Sequence, residues 1–279
     1  MRHPSNYLPR HPLCLALAMS LLLSACGSAP KLGERDGVSR ALPPPTDIAG
    51  IPEPTPREEP LSDLGNPDSY VVFGRRYHTL KDARGYRERG IASWYGSKFH
   101  GRRTSSGEPY DMYAMTAAHK NLPLPCYARV TNLRNNRSIV VRINDRGPFH
   151  DNRLIDLSYT AAWKLGIIGE GTGLVEVATI DPKAPAPAAE PEPVKPPPIR
   201  GLPELFLQVG AFGDASNADR LKQRIEEQLE VKVLIEEASS SATPLYRVQV
   251  GPIASVELAD HLSHRLDQLG IRDPHVVIR

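Results

Sequence analysis

Three short stretches of the 279-residue chain concentrate side chains suited to acid–base or binding chemistry. "ASWYGSKFHGRRTSSGE" begins with Trp94 and Tyr95 and ends on Glu108. "AMTAAHKNLP" places His119 after a run of small residues, and "SIVVRINDRGPF" delivers Asp145 between Asn144 and Arg146, with Arg142 just upstream. Indole and phenol faces stack on the C–H surface of sugar rings, and a carboxylate beside them suits a hydroxyl-rich polymer. Each residue also has a plainer reading. Glu108 fits a solvated turn, His119 a hydrogen-bonded structural imidazole, and Asp145 a carboxylate that stabilises its own turn. Metal chemistry is not indicated: His100, His119 and His150 lack ligand spacing, and no third ligand motif accompanies His261 and His264. No phosphate-cradling glycine loop or serine-hydrolase elbow occurs, so no cofactor is expected.

The elements that must hold these groups are mostly strands. Ile139, Val141 and Ile143 alternate with Val140, Arg142 and Asn144, the period-2 pattern of a half-buried strand, before a turn at Asn144–Pro148. Tyr127–Asn132 and Gly173–Ile180 read the same way, and Leu133–Arg137 joins the first two runs as a hairpin loop. One helix is predicted over Leu157–Leu165, opening at Asp156 or Ser158. Many short strands with one helix predict a small β-barrel. Cys126, among apolar neighbours with nothing nearby to activate it, reads as a buried structural thiol.

Around this region the chain divides by composition. Arg2 and Arg10 precede an apolar run, Leu13 to Leu23, too short to span a bilayer and followed by Leu23-Ser24-Ala25-Cys26-Gly27. Residues 26–67 and 182–201 are rich in proline, read as a disordered tether and a disordered linker; 28 prolines in all make such spacers unsurprising. Two folded units remain, 68–181 and 202–279. The net charge of +2 demands no polyelectrolyte partner.

The C-terminal unit repeats itself. Gln208-Val209-Gly210 recurs as Gln249-Val250-Gly251, and Ala218, Leu221 and Ile225 recur as Ala259, Leu262 and Leu266. Each half reads as strand, helix, strand, so a four-stranded sheet with both helices on one face is predicted, a βαββαβ order. The strands fall at Leu205–Val209, Val231–Glu236, Leu245–Val250 and His275–Arg279. Leu205, Leu207, Val209, Tyr246, Val248 and Val250 should face the helices, leaving Phe206, Gln208, Arg247 and Gln249 on an open face. RNA-binding modules share this layout, but eight basic against twelve acidic residues over 202–279, with no aromatic pair on the strands, argues against nucleic acid.

"LFLQVGAF", a helix, then "LYRVQVGP" resemble a sporulation-related repeat (SPOR) domain over essentially all of 202–279. That resemblance implies binding of peptidoglycan strands lacking stem peptides, by Gln208, Phe212, Arg247 and Gln249. "ASWYG…TSSGE…AAHK.LP…VRINDRGPF….R.IDLS" resembles the rare lipoprotein A family of septal lytic transglycosylases, over roughly 70–181. It implies a six-stranded double-psi β-barrel, similar to those of expansins and some endoglucanases. It further implies Asp145 as the principal catalytic acid, with Glu108 and His119 as supporting residues; beside them, Trp94 and Tyr95 by their ring faces and Arg142 and Arg146 by their charge are expected as substrate contacts. Residues 23–27 resemble a bacterial lipobox, implying removal of residues 1–25 and a lipid anchor on Cys26. Gly27 in place of Asp then points to the outer membrane, facing the periplasm, with divisome proteins as further partners. The alternative is a wall protein that grips glycan without cutting it.

Overall fold

The computed structural model describes residues 47–184, 202–238 and 244–279. The signal segment, Cys26 and most of the 182–201 linker lie outside the described residues. No helix among the described residues is long and apolar enough to cross a membrane.

A two-stranded ribbon, β1 (Ser69–Val72) and β2 (Arg75–His78), precedes six strands that close into a barrel. These are β3 (Arg87–Trp94), β4 (Thr116–His119), β5 (Cys126–Asn132), β6 (Ser138–Asp145), β7 (Arg153–Leu157) and β8 (Gly173–Ile180), in the order β3-β7-β4-β6-β5-β8. The β3–β7 and β4–β6 pairs are parallel and the others antiparallel, the interlocked arrangement of a double-psi barrel. Alternate side chains fill the interior: Val141 and Ile143 from β6, Ile155 and Leu157 from β7, and Ala92, Ala117, Val175 and Val177 from the others. Between β7 and β8 lies α1 (Tyr159–Leu165), capped by the Ser158 hydroxyl, which accepts from the Ala161 amide at 3.2 Å. The helix ends at Gly166 in the left-handed region, where only glycine is free of strain.

The C-terminal unit is β9 (Leu205–Phe212), α2 (Ala215–Leu229), β10 (Val233–Ala238), β11 (Leu245–Ile253), α3 (Val256–Gln268) and β12 (His275–Ile278), with sheet order β10-β11-β9-β12. Leu205, Leu207, Val248 and Val250 pack with Ala218, Ile225, Ala259, Leu262 and Leu266 of the helices, as the repeat predicts. The unit meets the barrel region through α3, β12 and the segment between them, where Asp273 pairs with Arg75 at 2.8 Å. Arg153 donates to both oxygens of Asp260, at 2.9 and 2.7 Å, and Asn152 donates to the Ser263 hydroxyl at 2.8 Å.

One boundary differs from the sequence reading. Residues 47–66, assigned by their prolines to a disordered tether, lie against the barrel. Ile48 is buried with Tyr95 and Tyr110, and the Glu53 carboxylate accepts the Val140 amide at 2.8 Å. Composition undercounts such a strap, because a segment without its own core can still add to one already formed.

Candidate active site

Asp145 is the last residue of β6 rather than part of the turn that follows it. The β4–β6 register runs Ala117 with Ile143, then Ala118 with Asp145, so Asn144 is the extra residue of a bulge. Ile143 points into the barrel; the bulge turns Asp145 to the other face, alongside Ala118. In β7, Asp156 also pairs with Ala118, and across β3 it pairs with Ser93. Asp145, Ala118, Asp156 and Ser93 therefore form one row on the barrel's outer face. With strands about 4.8 Å apart, the two aspartates stand about 10 Å from each other at the backbone, separated by a small side chain.

Their environments differ. Oδ1 of Asp145 accepts from the Ser105 amide and hydroxyl, both at 2.7 Å, and from the Arg146 amide at 2.8 Å. Its Oδ2 has no hydrogen bond from the described residues and is the oxygen left for a ligand. Asp156 accepts from the Ser93 hydroxyl, yet burial outweighs that bond and raises its pKa above the usual carboxylate range. Part of its surface remains open. Tyr95 and Tyr110 lie close enough for both carboxyls to act on their phenols, which burial already pushes upward. The sequence marks Asp156 only as a possible helix start. Its signal lay in the eleven-residue separation from Asp145 and in the alternation of "RLIDL", where Ile155 and Leu157 point inward.

Glu108 reaches the same region from the loop between β3 and β4. Gly107, at a φ of 90° that glycine alone adopts without strain, lets the loop fold back so that the Thr104 amide meets the Glu108 carbonyl at 2.7 Å. The Glu108 carboxylate accepts from Arg142 at 2.8 Å and from Asn144 at 2.9 Å. Burial opposes its ionisation, but these two bonds prevail and hold its pKa below the ordinary value. Glu108 is thus held as a carboxylate by Asn144, the neighbour of Asp145, on the loop whose Ser105 binds Asp145, and it is a poor proton donor.

His119 is adjacent to Ala118 in β4 and so faces the opposite way. It is 1% exposed, and its Nδ1 accepts the amides of Asn121 and Leu122, both at 3.1 Å. That fixes the proton on Nε2, which donates to the Tyr86 hydroxyl at 2.9 Å; Tyr86 in turn donates to Glu88 at 2.7 Å. Burial, then Lys120 and Arg146, drives its pKa down to about 3. The structure brings Glu108 and Asp145 together and sets His119 apart from both.

Of the expected substrate contacts, Trp94 is half-buried and edge-on to Tyr159. Tyr95 is not available for stacking: it lies on Tyr110 with ring centres 4.1 Å apart, and its buried hydroxyl finds no partner among the described residues. Arg146 is also committed internally, donating to the carbonyls of Gly65, His119 and Leu122 and to the Asn66 side chain. Arg142 is held between Glu59 and Glu108. Both guanidiniums organise the site, because each finds enough acceptors within the protein to satisfy its donors. Cys126 is unpaired, and burial pushes its thiol up to about 12, leaving it inert.

The open face of the C-terminal sheet is more closed than its alternation suggests. Gln249 is 1% exposed and Phe206 2% exposed. Arg279 covers both, its guanidinium 4.8 Å from the Phe206 ring centre and bonded to Gln249 and Glu236. Gln208 and Arg247 stay partly accessible, while Phe212 packs toward the helix-side core.

The barrel thus carries Asp145, Asp156 and Ser93 in one row on its outer face, and a second module of four strands and two helices follows it. The family model described as lytic transglycolase matches residues 87–177, and the SPOR domain model matches residues 204–278. The endolytic peptidoglycan transglycosylase RlpA of Pseudomonas aeruginosa is 39% identical over 274 residues, covering 81% of this chain and 79% of that one. Its Vibrio cholerae counterpart is 39% identical over 261 residues, covering 92% of this chain and 93% of the relative. That of Neisseria meningitidis is 42% identical over 200 residues, covering 68% and 76%. The chain belongs to the RlpA family of endolytic peptidoglycan transglycosylases.

Proposed function

We propose that the protein cleaves the bond between N-acetylmuramic acid and N-acetylglucosamine in peptidoglycan strands lacking stem peptides, leaving 1,6-anhydro ends. The observation that carries this reading is the pairing of Asp145 and Asp156 across Ala118 on one face of the barrel. Water is not needed as a reactant, since the attacking hydroxyl is the muramic acid's own C6 group. A proton goes to the bridging oxygen, the C1–O bond breaks, and the C6 oxygen closes on C1 while giving up its proton. Asp145, through Oδ2, acts at both ends of this step, as acid and then as base. Asp156 lies in the same row, and burial raises its pKa and so favours its neutral form, which keeps the negative charge beside Asp145 low. Glu108, held ionised by Arg142 and Asn144, faces the positive charge that develops on the sugar ring. Trp94 offers the sugar a partial ring face. His119 serves from behind, buttressing the end of β4.

The SPOR unit grips the same polymer through Gln208 and Arg247 and concentrates the barrel on it. Lipidation of Cys26 would hold the protein at the outer membrane facing the periplasm, and affinity for stem-free strands would draw it to the division septum, beside divisome proteins. Mass spectrometry of sacculi stripped of stem peptides by an amidase tests the chemistry. Soluble products ending in anhydromuramic acid are expected from the wild type and not from Asp145→Asn. Products heavier by one water would replace the proposal with hydrolysis, and no release at all would leave a glycan-gripping wall protein.

A further inference from the structure

The strap of residues 53–66 touches Arg142, Arg146 and the Ser105–Ser106 turn, three of the groups that hold the two site carboxylates Asp145 and Glu108. The Glu59 carboxylate spans Arg142, accepting from Nε at 3.1 Å and Nη2 at 2.8 Å, while Nη1 of the same guanidinium binds Glu108 at 2.8 Å. The side chains of Glu59 and Arg142 are only 16% and 18% exposed, so this is a largely desolvated pair rather than a surface one. Tyr127 donates to the same carboxylate. Further along, the Ser62 hydroxyl donates to the Ser106 carbonyl at 3.0 Å, pinning the loop that carries Ser105 and Glu108. The Gly65 carbonyl and the Asn66 side chain accept from Arg146 at 2.8 and 3.1 Å, and the amide of Arg146 is one of the donors to Asp145. The strap also lies close against the loop: a β-carbon on Gly65 would come within 2.7 Å of the Ser105 carbonyl oxygen.

We propose that this strap is a clamp on the active site, with Glu59 positioning Glu108 through Arg142, and Gly65 and Asn66 positioning Asp145 through Arg146. The barrel is competent only while the strap is seated. Glu59 is a positioning residue: its carboxylate is consumed by Arg142, Tyr127 and Arg57 and does not touch the row of Asp145 and Asp156. The idea rests on the catalytic reading above for its kinetic consequence, but its structural consequence stands independently.

The full chain carrying Glu59→Gln provides the test, with Glu58→Gln as control, since among the described residues Glu58 pairs only with the exposed Lys183. Two quantities are read: amide hydrogen exchange at Ser105 and Arg146, and kcat and KM on stem-free strands. The clamp predicts exchange at both amides faster by about tenfold or more, and kcat lower by a similar factor with KM within about twofold, with the control unchanged in both. Glu59→Asp, which keeps the charge one methylene short, should fall between Gln and wild type, and serves if the Gln variant folds poorly. Unchanged exchange in both variants overturns the clamp whether or not the protein cleaves glycan. Faster exchange with an undiminished kcat overturns the positioning role. A wild type without cleavage refutes the catalytic reading, and the exchange result then decides the clamp alone.

Discussion

The barrel's outer face and the open face of the SPOR sheet both display polar side chains, yet they spend them differently. On the barrel, backbone amides and a serine hydroxyl all converge on Oδ1 of Asp145 and leave Oδ2 free. On the sheet, Gln249, Glu236 and Arg279 satisfy one another and close over Phe206. On the proposed reading, the first arrangement fixes the reactive group and keeps an oxygen available, and the second fixes a surface that grips a polymer by shape and a few free edges. Preorganised donors aimed at one atom distinguish a site of chemistry from a site of grip.

Substitutions that separate the two regions should show the largest effects. Asp145→Asn is expected to lower cleavage by about 10²–10⁴-fold, the range for removal of a positioned acid–base group, with sacculus binding retained. Arg247→Ala should do the reverse, weakening sedimentation with sacculi while kcat on soluble strands holds. Losing both properties together in either variant would erase the distinction. Asp156→Asn sharpens it through pH. Burial raises the pKa of Asp156, so the wild type should lose activity as pH rises through that raised value, and the variant should lack this limb. A limb that persists in the variant would assign it elsewhere.

A smaller effect concerns the join between the regions. The Arg153 side chain is 8% exposed and bonded to both oxygens of Asp260. Asp260→Ala leaves that guanidinium buried without its partner, at a cost of roughly 1–3 kcal/mol, seen by calorimetry as a Tm lower by several degrees. Deleting 202–279 should likewise cost stability and sacculus targeting more than intrinsic cleavage of soluble strands.

The last effect, confined to acid pH, is at His119. The unfolded chain binds a proton near pH 6.5, whereas folded His119 does not until about 3. Stability is therefore full above 6.5 and is lost as pH falls from there toward 3, by up to about 1.4 kcal/mol per pH unit. In His119→Gln this component of the slope should vanish from denaturation curves taken between those limits. An unchanged slope would mean that the imidazole is charged in the folded protein.

Much of this organisation is legible in the chain itself, for reasons that also mark where legibility stops. Gly173–Ile180 and the strand from Ser138 are visible because alternation is a local signal, and the helices of the SPOR unit because their spacing repeats. The face to which Asp145 points is not local. It depends on a bulge at Asn144 that exists only against β4, and simple alternation from Ile143 gives the wrong side. The same dependence hides the separation of His119, which becomes evident only once Ala118 is seen to pair with both aspartates. Arg142 and Arg146 read as substrate contacts because their acceptors, Glu59, Gly65 and Asn66, lie in a segment whose prolines suggested no fold. Asp156 was present in the quoted motif but had no partner in sequence until β7 was placed between β3 and β4.

The central claim is that the outer face of the barrel cuts glycan by intramolecular attack, without water as a reactant. Digestion of stem-free strands by the full chain in water enriched in heavy oxygen, followed by mass spectrometry of the released ends, tests it most directly. The account predicts anhydro ends with no heavy oxygen incorporated at the time of cleavage. Ends that carry one heavy oxygen atom from the solvent would contradict it.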